Sequence, residues 1–143
     1  LSLLVFLTTV LADMSSKALP KAEHVGSFLR PKEVLDARAA NQSGQLSDEE
    51  LRKVEDRHIA QLVKQQIENG IYSISDGEYR REYFHFDFLK HLGGVEIKKE
   101  ELKEHDSKNK PTALTLHVTG KIKHVKDIEV ENFKFLQEQI KDI

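Results

Sequence analysis

The sequence predicts an α/β chain with parallel strands. Three observations carry that prediction. A capped, amphipathic helical pattern ends at Asn69-Gly70 and runs directly into a short β-prone segment, Ile71-Tyr72-Ser73-Ile74-Ser75. Further extended segments lie before it, at Ala22 to Phe28, and after it, at Leu114 to Val118. The order strand, helix, helix, strand, helix, strand, helix is the alternation expected of parallel strands joined by crossover helices. At 143 residues the chain is too short for a closed eight-stranded α/β barrel, which needs about 250. It is either a small α/β domain or a fragment of a barrel.

The elements follow in order. Residues 1–13 open with twelve nearly all apolar or small residues, too few to span a bilayer as a helix. They read as a non-native leader upstream of Met14 or as a clipped signal-like segment, with Val10-Leu11-Ala12 suited to a signal peptidase. Residues 14–21 form a polar arm, and residues 22–143 hold the folded part. After the extended run to Phe28, Pro31 suits the first turn of a helix continuing to about Ala40, and Asn41-Gln42-Ser43-Gly44 is a loop. Ser47-Asp48-Glu49-Glu50 is a capping box. The helix behind it places Leu51, Val54, Ile59, Leu62, Val63 and Ile67 on one face. Tyr79 to Leu92 reads as a helix or irregular segment stopped by Gly93-Gly94. The charged residues 95–111 read as a solvated excursion. Leu114 to Val118 alternates as a strand does, and Ile122 to Val125 extends or pairs with it. Ile128 to Ile143 forms a last helix with Val130, Phe133, Leu136 and Ile140 on one face.

Charge and composition exclude several classes of partner. The 22 Lys and Arg are balanced by 24 Asp and Glu, a net charge of -2, which argues against nucleic acid and against an anionic membrane surface. With no Cys, a disulfide framework and a Cys-ligated metal are excluded within these residues. The histidines show no metal-ligand spacing, and no phosphate-binding glycine loop is present.

Three constellations have chemical potential. In His24-Val25-Gly26-Ser27-Phe28, a strand ending in Gly-Ser exposes backbone amides and a hydroxyl that can hold a carboxylate or phosphate. An ordinary turn with Ser27 capping the next helix is the competing reading. In Asp76-Gly77-Glu78, two acids flank a glycine at a strand's C-terminal end, where α/β folds gather binding groups. Glu78 suits a substrate ammonium and Asp76 suits orienting it, against the alternative of a solvated turn neutralised by Arg80 and Arg81. In Tyr83-Phe84-His85-Phe86-Asp87-Phe88, the aromatics read first as core or lid packing and second as a stack for a flat ligand. His85 is a packed histidine or a base.

Four blocks in order resemble the cobalamin-independent methionine synthase family, in particular its short single-barrel members. They are His24-Val25-Gly26-Ser27-Phe28-Leu29-Arg30-Pro31, Gly44-Gln45-Leu46-Ser47-Asp48-Glu49-Glu50-Leu51-Arg52, Val54-Glu55-Asp56 and Asp76-Gly77-Glu78-Tyr79-Arg80-Arg81. The resemblance implies an incomplete (β/α)8 TIM barrel with the N-terminal strands and helices only, related to uroporphyrinogen decarboxylase. It implies methyl transfer from a folate-type donor to a homocysteine-like thiol in the cytoplasm, or outside the cell if residues 1–12 are a clipped signal peptide. It assigns Ser27 and Glu78 to homocysteine, with His24, Asp76 and His85 as pocket-lining candidates. The family's zinc ligands, including two Cys, come from later strands, so this chain is expected to bind no zinc and to be inactive alone. His24 departs from the small residue usual in the full synthases. The alternatives are a non-catalytic α/β interaction module and a uroporphyrinogen decarboxylase-like barrel of different chemistry.

Overall fold

The structure, a computed structural model, describes residues 21–101 and 112–141. The leader reading of residues 1–13, most of the polar arm and the excursion over 102–111 lie outside the described residues. The described chain is a mixed α/β fold without a closed barrel: four helices and one two-stranded sheet.

Helix α1, Lys32–Gln42, starts one residue after Pro31, whose carbonyl accepts from the N–H groups of Val34 (3.0 Å) and Leu35 (3.3 Å). It runs through Asn41 and Gln42, which the sequence places in a loop. Helix α2, Asp48–Glu68, is the spine of the molecule. Its capping box forms as expected: Ser47 Oγ accepts from Glu50 N–H at 3.2 Å, and Glu50 Oε2 accepts from Ser47 N–H at 2.9 Å. At its other end Gly70 adopts φ +70°, Gly70 N–H donates to Ile67 O and Ile71 N–H to Gln66 O. Those two bonds satisfy the last carbonyls and turn the chain out of the helix.

The segments Ala22–Phe28 and Ile71–Ser75 do not form strands. They meet at one parallel bridge, Ala22 to Ile71, with Tyr72 N–H donating to Ala22 O at 2.7 Å. The reason is visible at Ser75. Its N–H donates to Gln66 Oε1 (3.1 Å) and its carbonyl accepts from Gln66 Nε2 (2.7 Å), so a buried amide from α2 takes the place of a neighbouring strand. The single parallel pairing keeps the direction that the sequence predicts for these two segments.

Beyond Arg81 the chain turns irregularly into a one-turn helix α3, Phe86–Leu89. The largest departure follows. Gly93-Gly94 does not stop a helix but opens strand β1, Gly93–Glu101, where a solvated loop was expected. β1 pairs antiparallel with β2, Thr112–Lys123, which corrects the expectation of all-parallel strands. Alternation explains the strand: Val95 faces Val118 and Ile97 faces Leu116, while the charges between them lie on the other face. The register shifts after Gly93, and a Cβ on Gly94 would stand 2.6 Å from Lys121 O, so the bulge there requires glycine.

Helix α4, Val130–Gln139, is shorter than the segment Ile128 to Ile143, and of its expected face only Leu136 turns inward. Phe135 and Leu136 pack on the core, whereas Val130, Phe133 and Ile140 are exposed. The core is Ile59, Leu62 and Val63 of α2 with Tyr79, flanked by Phe28, Ile67 and Ile74. Among the described residues no helix is long and apolar enough to cross a membrane.

Candidate functional site

The core and the candidate site share a turn. Tyr79 is buried (5% exposed) between α2 and α4, and its hydroxyl donates to Leu29 O at 3.0 Å. Burial pushes the Tyr79 phenol up, against the opposing charge of Arg30. This anchor fixes the turn Asp76–Arg81 against the segment that carries Ser27. Phe28 N–H donates to Gly77 O at 3.1 Å, a second tie between the two.

The two residues assigned to homocysteine by resemblance, fifty-one positions apart, are in contact: Ser27 Oγ donates to Glu78 Oε2 at 2.7 Å. Every polar group of Glu78 is engaged. Its other carboxylate oxygen accepts from Arg81 Nη1 at 3.2 Å, its N–H donates to Asp76 Oδ1 at 2.9 Å, and its carbonyl accepts from Arg30 Nη2 at 2.9 Å. Gly77 and Glu78 both take left-handed backbone angles, φ +69° and +57°. That conformation is ordinary for glycine and uncommon for glutamate.

Of the remaining candidates, Asp76 and His24 lie beside this pair and His85 does not. Asp76 lines, with Glu78, Arg80 and Arg81, a groove of about 170 Å³ closed by Asp87, Lys90, His91, Glu129 and Asn132. His24 is exposed beside Ser27, stacked on Phe28 with ring centroids 3.8 Å apart, its Nε2 3.4 Å from Ser27 O. His85 is exposed and lines a different groove, of about 500 Å³, with Tyr83, Phe86, Lys99 and Leu114.

The profile of the family described as "Cobalamin-independent synthase, Catalytic domain" matches residues 19–141. The chain belongs to the cobalamin-independent methionine synthase family. YxjH of Bacillus subtilis (strain 168), an uncharacterized protein, is 39% identical over 128 residues, covering 88% of this chain and 33% of YxjH. YxjG of the same organism is 36% identical over 118 residues, 81% of this chain and 31% of YxjG. A solved structure assigned to a vitamin-B12-independent methionine synthase of Listeria monocytogenes matches with TM-score 0.65 and 38% identity, over 85% of this chain and 34% of that one. A B12-independent methionine synthase of Shewanella sp. W3-18-1, solved in complex with selenomethionine, matches with TM-score 0.64 and 26% identity, over 87% and 36%. The chain thus spans about a third of the length of the curated relatives it matches.

Cobalamin-independent methionine synthases are generally zinc-dependent, and the described residues of this synthase-family chain do not fit that ion. It has no Cys, and among the described residues no three His, Asp or Glu side chains converge to hold a metal.

The synthase-family turn is held from beneath by a network that the sequence reading did not single out. Arg30 Nη2 also donates to Arg81 O (2.8 Å), and Arg38 donates to Tyr79 O (2.5 Å) and Arg81 O (3.1 Å). Arg38 and Arg80 flank Glu55, each at 3.4 Å, and Arg80 also pairs with Asp56. Burial pushes the Glu55 carboxyl above its ordinary range, because desolvation outweighs Arg80 and Arg38. A signal for this network is present in the sequence. Glu55 falls at helical spacing with Ile59, Leu62 and Val63, which puts a carboxylate on a buried face that calls for a cationic partner.

Proposed function

We propose that this chain supplies the amino-acid end of the homocysteine site of a zinc-dependent homocysteine S-methyltransferase, an enzyme of methionine biosynthesis with a folate-type methyl donor. The observation that carries the reading is the Ser27–Glu78 contact at 2.7 Å. The substrate's α-ammonium replaces the Ser27 hydroxyl as donor to the Glu78 carboxylate, and the released Ser27 hydroxyl donates to the α-carboxylate. The charges are complementary, and the preset turn lowers the ordering cost of binding. Selenomethionine, the ligand of the Shewanella relative, is the selenium analogue of the methyl-transfer product, which supports an amino-acid ligand for this fold. With no Cys in the chain and no cluster of His, Asp or Glu able to hold zinc among the described residues, binding without turnover is its expected behaviour.

L-Methionine, which lacks an oxidisable thiol, is the probe. Ligand-observed saturation-transfer NMR suits weak binding and tolerates self-association. Glu78→Gln removes the charge and is expected to weaken L-methionine by about tenfold, the loss of one charge-assisted hydrogen bond. Wild-type affinity in that variant contradicts the assignment.

A further inference from the structure

The Glu78 carboxylate is aimed by its backbone, and the backbone is in a conformation that glutamate seldom adopts, φ +57°. A left-handed non-glycine residue persists only where its surroundings over-determine it. Three groups hold the Glu78 N–H and carbonyl, one of them the Arg81 N–H, which donates to the carbonyl at 3.1 Å. Asp76 Oδ1 accepts the Glu78 N–H, and Arg30 Nη2 donates both to the Glu78 carbonyl (2.9 Å) and to Arg81 O (2.8 Å). Arg30 thereby clamps the two ends of the turn Glu78–Arg81 with one nitrogen. Arg38 braces the middle at Tyr79 O. The Arg30 guanidinium is not an optimised structural contact, since its Nε is buried with no acceptor among the described residues. A buried donor left unmade opposes folding. We propose that Arg30 is a positioning residue for the site, one that acts through Glu78 by fixing the left-handed turn that presents its carboxylate beside Ser27.

The inference rests on the reading of Glu78 as the ammonium ligand, and a double-mutant cycle separates the two. L-Methionine binding to the full chain is measured by saturation-transfer NMR for wild type, Arg30→Gln, Glu78→Gln and the double variant, with circular dichroism on each. A residue that acts only through Glu78 loses its effect once Glu78 is gone. Arg30→Gln is expected to weaken binding about tenfold, and the double variant to bind no more weakly than Glu78→Gln alone. Losses that add, or wild-type affinity in Arg30→Gln, overturn the positioning role. Arg30→Lys keeps the cation but not the fork, and its affinity is expected between those of wild type and Arg30→Gln. If Arg30→Gln does not fold, Arg30→Lys replaces it in the cycle, and wild-type affinity there overturns the role. Wild-type affinity in Glu78→Gln overturns the ligand assignment instead, and no binding by wild type removes both.

Discussion

Gly77 and Glu78 are the two residues on which the site turns. A Cβ on Gly77 would stand 2.3 Å from Leu62 Cδ2, in the core, and its φ of +69° disfavours any side chain. Gly77→Ala therefore combines backbone strain with overpacking and is expected to destabilise by about 2–3 kcal/mol, measured by denaturant unfolding. A change below about 0.5 kcal/mol would place the turn elsewhere. At this scale the sequence was informative about chemistry and mute about support. Asp76-Gly77-Glu78 announces itself by charge and by its place after a helix stop. Arg30 and Arg38 do not, because an arginine bonded to carbonyls looks like any other arginine until the carbonyls are placed. The Ser27–Glu78 pairing is a contact between distant segments, and nothing in their spacing encodes it. The resemblance alone brought them together beforehand.

Among the elements, those fixed by local chemistry were legible. The capping box and the Asn69-Gly70 stop bracket α2 as expected, because caps are decided within four residues. Ser47→Ala is expected to cost about 1 kcal/mol, read by denaturant unfolding with the slope unchanged. The hairpin was missed because its charged run outweighs Val95 and Ile97, whose alternation has meaning only beside β2. The inward face of α4 was misread in part for a related reason: Phe135 joins Leu136 on the core by where Tyr79 and Arg80 lie, with the Arg80 guanidinium 5.2 Å from the Phe135 ring centre. In the first turn of α3, Asp87 gathers the N–H groups of Glu82 and Tyr83 and the ammonium of Lys90. Burial raises its carboxyl, but those bonds together outweigh burial and hold it below the ordinary value of 3.8. A depressed folded pKa gives stability that is present above the unfolded value and lost as pH falls through the folded one. Asp87→Asn should thus cost about 1–3 kcal/mol at pH 7 and almost nothing once wild-type Asp87 is protonated. An equal cost at both ends of that titration would contradict the bonding described.

The described residues form one helix-centred core with open sides. Leu29, Phe84, Phe88, Val118 and Phe133 are exposed, and the two-stranded sheet leaves both its edges unpaired among the described residues. Surfaces of this kind associate. The chain is expected to sediment as concentration-dependent oligomers; a monomer with a sharp cooperative melt across the micromolar range would refute that. The α/β class was legible in the mixture of capped helices and alternating segments, and the unclosed architecture in the chain length, whereas the order of elements was not. Nor was the strand count, because strand formation at 22–28 and 71–75 needs neighbours that local sequence does not supply. The central claim is that this surface recognises the amino end of an amino acid. Its most direct test compares saturation transfer to L-methionine with transfer to 4-(methylthio)butanoate, which differs by the ammonium alone. The account predicts binding of the amino acid at least about tenfold stronger than of the desamino analogue. Equal binding of the two would contradict it.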